Sequence, residues 1–170
     1  MADVAPIPQD RLAPEPIWRD PMTLSERERD VLRALDELVE GVRPLAPEDT
    51  DEHIQGSVPG LDPRVMRQLA RGELAIQAEL DLHGCTAETA RGLLERFIVD
   101  ANARGLRCVK IVHGRGRRSR GGVPVLKRQL PRWLGRGPAR HIVLGYTSAR
   151  PNDGGAGASY VLLRRRLTRR

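Results

Sequence analysis

Apolar and polar positions change rhythm along this chain of 170 residues, and the changes mark out its elements. Glu79 to His83 alternates, the period of a strand, which puts Leu80 and Leu82 on one face and Asp81 and His83 on the other. The rhythm then lengthens. Ala90, Leu93, Leu94, Phe97, Ile98 and Ala101 recur at helical spacing, with Thr86 as N-cap and Gly105 as the residue that closes the helix. Cys108 to Val112 is almost continuously apolar, as in a strand covered on both sides. Strand, helix and strand in this order form a right-handed crossover with parallel strands. His83 and His113 then leave the sheet at one carboxyl edge, where ligands bind in open α/β sheets.

Further on, Pro124 opens a helix carrying Val125, Leu126, Leu130, Trp133 and Leu134, which Pro131 should kink. Arg140 to Tyr146 and Ser159 to Leu163 are expected strands, separated by a glycine-rich loop from Ala149 to Gly157. The sum is an α/β two-layer sandwich of order βαβαββ, a four-stranded mixed sheet with both helices on one face. The opposite face and the carboxyl edge stay open for ligand. Upstream, Leu61 to Leu74 reads as a short basic helix with Leu61, Val65, Met66 and Leu69 inward and Arg64, Arg67 and Arg71 outward. Residues 43–60 read as an acidic linker. Ser25 and Glu28 form a capping box ahead of Val31, Leu32, Leu35, Leu38 and Val39, so a helix is expected to about Glu40, stopped by Gly41 and Pro44. The expected division is a proline-rich disordered tail over 1–22, a helical extension with acidic linker over 23–76, the α/β domain over 77–166 and a basic tail over 167–170.

Charge sharpens this picture. Residues 1–100 carry 11 Lys and Arg against 21 Asp and Glu, net −10; residues 101–170 carry 18 against 1, net +17. A solvated surface usually mixes signs, so the basic half points to a polyanionic partner, nucleic acid in the first place. Aromatic residues make up 3%, so the core must be aliphatic and base stacking is not expected to dominate binding. No apolar run approaches the ~20 residues of a membrane span. The first residues lack the charged-then-apolar pattern of a signal peptide, so a cytoplasmic protein without a membrane partner is expected. Cys85 and Cys108 form no CxxC pair and are expected reduced. Oligomeric state is not legible.

Three groups carry candidate chemistry. Asp81 and His83 share a strand face, so the carboxylate can orient the imidazole for proton transfer, with His113 arriving beside them. Arg115, Gly116, Arg117, Arg118 and Arg120 form a flexible basic loop suited to holding phosphate. Gly154, Gly155 and Gly157 either cradle phosphate or, being small, let their loop pass close to His113–Gly116. Two histidines and a carboxylate could also hold a divalent metal. A site for two metal ions needs a carboxylate cluster, however, and Glu79 is the only obvious further acid, so no cofactor is favoured.

LDLHG at Leu80–Gly84, HGRG at His113–Gly116 and GGAGASYVLLRR at Gly154–Arg165, in this order and spacing, resemble the small MutS-related (Smr) domain family, over roughly residues 23–166. The resemblance implies an α/β sandwich like the C-terminal domain of a bacterial translation initiation factor. It also implies endonuclease activity: DNA nicking in some members, mRNA cleavage at stalled ribosomes in others. Asp81 and His83 match the residues implicated in cleavage. Arg115 stands where relatives carry Lys, keeping the charge and adding a planar fork for phosphate. Two functions are compatible with this, an endonuclease acting on RNA or DNA, with the ribosome as a further partner, and a module that binds nucleic acid or the ribosome without cutting.

Overall fold

The computed structural model describes residues 46–47, 53–116 and 124–166. In chain order the elements are β1 (Ala46–Pro47), β2 (Gln55–Ser57), α1 (Pro63–Ala70), β3 (Ala78–Asp81), α2 (Ala87–Ala103), β4 (Cys108–Val112), α3 (Val125–Leu134), α4 (Ala139–Ile142), β5 (Val143–Ser148) and β6 (Ala158–Leu163). The strands form one mixed sheet in the order β1-β2-β5-β6-β4-β3. The expected crossover is at its far end: β3 and β4 pair in parallel, Leu80 opposite Ile111 and Asp81 opposite Val112. β6 joins β4 antiparallel, with Ser159 opposite Ile111, and β5 joins β6 antiparallel.

Local chemistry explains the crossover helix. The Thr86 hydroxyl oxygen accepts from Thr89 N–H at 3.3 Å and starts α2. At the other end Gly105 takes φ 76°. Its N–H donates to Asn102 O and the Leu106 N–H to Ala101 O, both at 2.9 Å, so the last carbonyls are satisfied as the chain turns into β4. Between these ends Ala90, Leu94, Phe97 and Ile98 are buried against Leu80, Leu82, Val109 and Ile111 of the sheet and Leu126, Leu130 and Leu134 of α3. Removing the Phe97 ring from this core would cost about 3–5 kcal/mol.

The α/β sandwich is as expected, and the structure adds to it in three places. The stretch read as a linker contributes β1 and β2, which extend the expected four strands on the β5 side. No alternation marks β2. It is held by main-chain bonds, Ser148 N–H to Ile54 O at 2.8 Å and Val58 N–H to Leu144 O at 2.9 Å. Gly56 lies flat on Tyr146, where a Cβ would come within 2.6 Å of the phenol oxygen. Next, the sheet face expected to be open is covered by α1, whose Met66 and Leu69 pack on Cys108, Tyr160 and Leu162. Asp62 caps α1, accepting from Arg64 N–H at 2.8 Å. Lastly, Arg140–Ile142 belong to the helical turn α4 and the strand begins at Val143; the apolar run is shared between a helix end and a strand start. α3 runs through Pro131 to Leu134, and Gly135 N–H closes it on Pro131 O at 3.1 Å. The expected helix over 25–40 and both tails lie outside the described residues. No helix among the described residues is long and apolar enough to cross a membrane.

Candidate active site

β3 ends at Asp81, and Leu82 sets the course of the chain beyond it. The Leu82 side chain is fully buried and its N–H donates to Val112 O at 2.7 Å, pinning the turn to the end of β4. His83 is thereby sent outward: its side chain is 67% exposed, that of Asp81 27%. One oxygen, Asp81 Oδ1, accepts from the His83 N–H at 3.0 Å and lies 2.6 Å from His83 Nδ1. A carboxylate only accepts, so Nδ1 carries a ring proton, and in the neutral imidazole the lone pair is on Nε2. Among the described residues His83 makes no other hydrogen bond, and Nε2 remains available to a ligand.

His113 reaches the same edge, and its neighbour Gly114 is so close that a Cβ there would lie 3.7 Å from His83 Cβ. The two imidazoles nevertheless have opposite surroundings. His113 is buried, with Nδ1 3.0 Å from Gly114 O and Nε2 3.0 Å from Ser159 Oγ. The carbonyl needs a donor, so Nδ1 is protonated and Nε2 accepts from the serine hydroxyl. Burial pushes the His113 pKa down to about 4; the bond to the Gly114 carbonyl opposes this, and the charge of Lys127 adds to it. At neutral pH this is an uncharged imidazole joining β4 to β6.

The glycine loop serves the same junction. Gly157 O accepts from His113 N–H at 3.0 Å and Gly114 N–H at 2.9 Å. A Cβ on Gly157 would meet Arg115 Cγ at 3.1 Å, and one on Gly155 would meet Arg115 Nη2 at 3.3 Å. These glycines therefore let Arg115 lie across them, the steric use expected of them. The N–H groups of Gly155 and Gly157 are spent on Arg150 O and Gly154 O, and Gly154 turns the chain with φ 110°. Tyr160 ties the loop down, donating to Asp153 and accepting from Arg150 N–H at 3.3 Å. Arg115 itself is exposed. Arg117, Arg118 and Arg120 lie outside the described residues.

His83, Cys85, Thr86, His113, Arg115 and Gly116 thus share an open groove of ≈ 840 Å³, closed on its far side by Pro124, Val125 and Leu126 at the start of α3. Cys85 is half-buried, its thiol pKa raised by burial and then by the Asp81 carboxylate. Glu79 is held by Lys110 at 2.6 Å, and Asp81 reaches the groove through its bond to His83. Among the described residues no three His, Cys, Asp or Glu side chains are grouped to hold a metal ion. Sequence reasoning missed two participants, Ser159 and the buried Lys127. Lys127 sits three residues before Leu130 on the apolar stripe of α3, a signal that could have been read; Ser159 gives none.

Fold and groove define a small α/β domain that presents an oriented imidazole and an arginine at the carboxyl edge of a mixed sheet. The chain belongs to the Smr domain family, which it matches over residues 80–164. It is 37% identical over 106 residues to the probable DNA endonuclease SmrA of Escherichia coli, covering 62% of this chain and 55% of that protein. It is 32% identical over 115 residues to the ribosome rescue factor SmrB of Yersinia pseudotuberculosis, covering 68% of this chain and 60% of that protein. The chain thus spans a little over half the length of these curated relatives. The crystal structure of YdaL, a stand-alone small MutS-related protein from Escherichia coli, aligns with a TM-score of 0.57 and 31% identity, over 79% of this chain and 99% of that one.

Proposed function

We propose that this chain is an endonuclease that cleaves single-stranded RNA, with His83 as the proton-transfer group, Asp81 as its orienting partner and Arg115 steadying the scissile phosphate. One observation carries the reading: Asp81 Oδ1 holds Nδ1 of the exposed His83 at 2.6 Å, which in the neutral imidazole leaves the lone pair on Nε2 at the groove. Nε2 takes the proton of the 2′-hydroxyl as that oxygen bonds to phosphorus. The P–O5′ bond breaks and the 5′-oxygen gains the proton, leaving a 2′,3′-cyclic phosphate and a free 5′-hydroxyl. Arg115, lying on Gly155 and Gly157, offers its guanidinium fork to the developing charge. His113 acts through position, holding Gly114 and Arg115 against the start of β6. The basic half of the chain supplies affinity. The relatives named for DNA endonuclease activity and for ribosome rescue support a nucleic-acid substrate, with RNA on the ribosome as one setting.

The test is a gel with structured RNA, single-stranded RNA and supercoiled DNA, with and without EDTA. His83→Ala and Asp81→Asn should each lower RNA cleavage by at least ~10²-fold, the usual size of a general acid–base contribution, while binding stays near the parent's. RNA with a 2′-deoxy residue at the cut site should resist. Cleavage that survives the double variant would remove the pair from the mechanism. Tight binding with no product on any of the three substrates would leave a non-catalytic binding module.

A further inference from the structure

We infer that the cleft between α2 and α3 is a second nucleotide subsite, taking one nucleotide of a single strand whose scissile phosphate lies at Asp81 and His83; this rests on the role proposed above for that pair. The cleft, ≈ 260 Å³, is lined by Arg91 and Glu95 of α2, Gln129, Arg132 and Trp133 of α3, and Arg136 just beyond it.

Helix geometry gives its position. Ala87 and Val125, the first residues of α2 and α3, line the groove of the candidate site. Arg91 and Gln129, which line the cleft, stand four residues further along each helix, about 6 Å at 1.5 Å per residue. The facing walls of the two hollows are therefore about one helical turn apart on the same helical layer. A strand leaving the groove over that layer meets the cleft next.

The lining chemistry names the occupant. Arg91, Arg132 and Arg136 are exposed and present three guanidinium forks suited to backbone phosphate. Trp133 is half-buried, packed against the core and also bordering the cleft. Arginines along a backbone with an aromatic ring beneath a base are how single-stranded nucleic acid is held without sequence preference. Glu95 argues against a bare polyanion. Its carboxylate repels phosphate and accepts from the exocyclic amine of a base, and Gln129 beside it can donate or accept. A nucleotide satisfies the whole lining; inorganic phosphate satisfies only the arginines.

The experiment uses the full chain carrying Trp18→Phe, which leaves Trp133 as the sole tryptophan of the two, and His83→Ala, which keeps the probe uncut. A 12-nucleotide single-stranded RNA is titrated, with inorganic phosphate as the comparison. The RNA should quench Trp133 fluorescence and phosphate should not. Adding Arg91→Gln, Arg132→Gln and Arg136→Gln, all at exposed positions, should weaken RNA binding by about tenfold or more. It should also lower the salt slope by about 1.4, from the two phosphates that flank one nucleotide at about 0.7 each. Circular dichroism checks that the variant is folded. Unchanged Trp133 fluorescence at saturating RNA, or equal affinity in the triple variant, overturns the subsite. Both readouts are binding in a non-cutting protein, so their failure leaves the Asp81–His83 proposal standing. A parent chain that never cleaves overturns that proposal, while the two binding readouts still decide whether the cleft holds a nucleotide.

Discussion

Acidifying the solution should cost this fold stability through one residue, His113. In the unfolded chain its pKa is the ordinary 6.5; in the fold, burial among Gly114, Ser159 and Lys127 holds it at about 4. Between those values the unfolded state binds the proton and the native state does not, so stability falls as pH falls. The contribution is complete above pH 6.5, is lost progressively on the way to about pH 4 and changes no further below it. With 1.36 kcal/mol for each unit of separation, the loss is about 2.5 kcal/mol at pH 4.5 and on the order of 3 kcal/mol at the acid limit. Small domains have ~5–15 kcal/mol in all, so this is a large share. The assay is urea unfolding followed by circular dichroism at pH 7.5, 6.0 and 4.5, on the parent chain and on His113→Gln. Glutamine does not titrate, and the other acid-sensitive groups cancel in the difference between the two proteins. The substitution itself costs a roughly constant amount. The parent should therefore lose about 2.5 kcal/mol more than the variant between pH 7.5 and 4.5. Parallel pH curves for the two would refute the buried, neutral imidazole and the latch it forms.

Two further outcomes test the packing beside His113 and the burial of the two thiols. Gly157→Ala puts a Cβ 3.1 Å from Arg115 Cγ, and should displace that side chain, weakening RNA binding and lowering stability by ~1–3 kcal/mol in urea titration. The two thiols should differ in native protein at pH 8. Cys108, raised by burial to about 11, should resist a maleimide until the chain unfolds. Cys85, half-buried in the groove with its pKa raised, should react more slowly than free cysteine and be protected by bound RNA, as mass spectrometry would show.

Much of this molecule is written in local patterns, because strand and helix periods, caps and turn glycines act over a few residues. Leu80 and Leu82 inward with Asp81 between them, Thr86 at the start of α2 and Gly105 at its end needed nothing beyond neighbouring residues to be read. The pairing of Asp81 with His83 was also legible, since two residues on one strand face are brought together by backbone geometry alone. Tertiary structure decided what depends on distant partners. β2 carries no pattern of its own and exists because the β5 edge offers hydrogen bonds and Tyr146 offers a flat ring to Gly56. α1 closes a face that looked open because its short apolar stripe matches Cys108, Tyr160 and Leu162 from two strands. His83 and His113 look alike in sequence, each ahead of a glycine at a strand end. Burial against Ser159 and Lys127, residues 46 and 14 positions away, made one of them a neutral latch, while Asp81, two positions away, left the other exposed and ready to react.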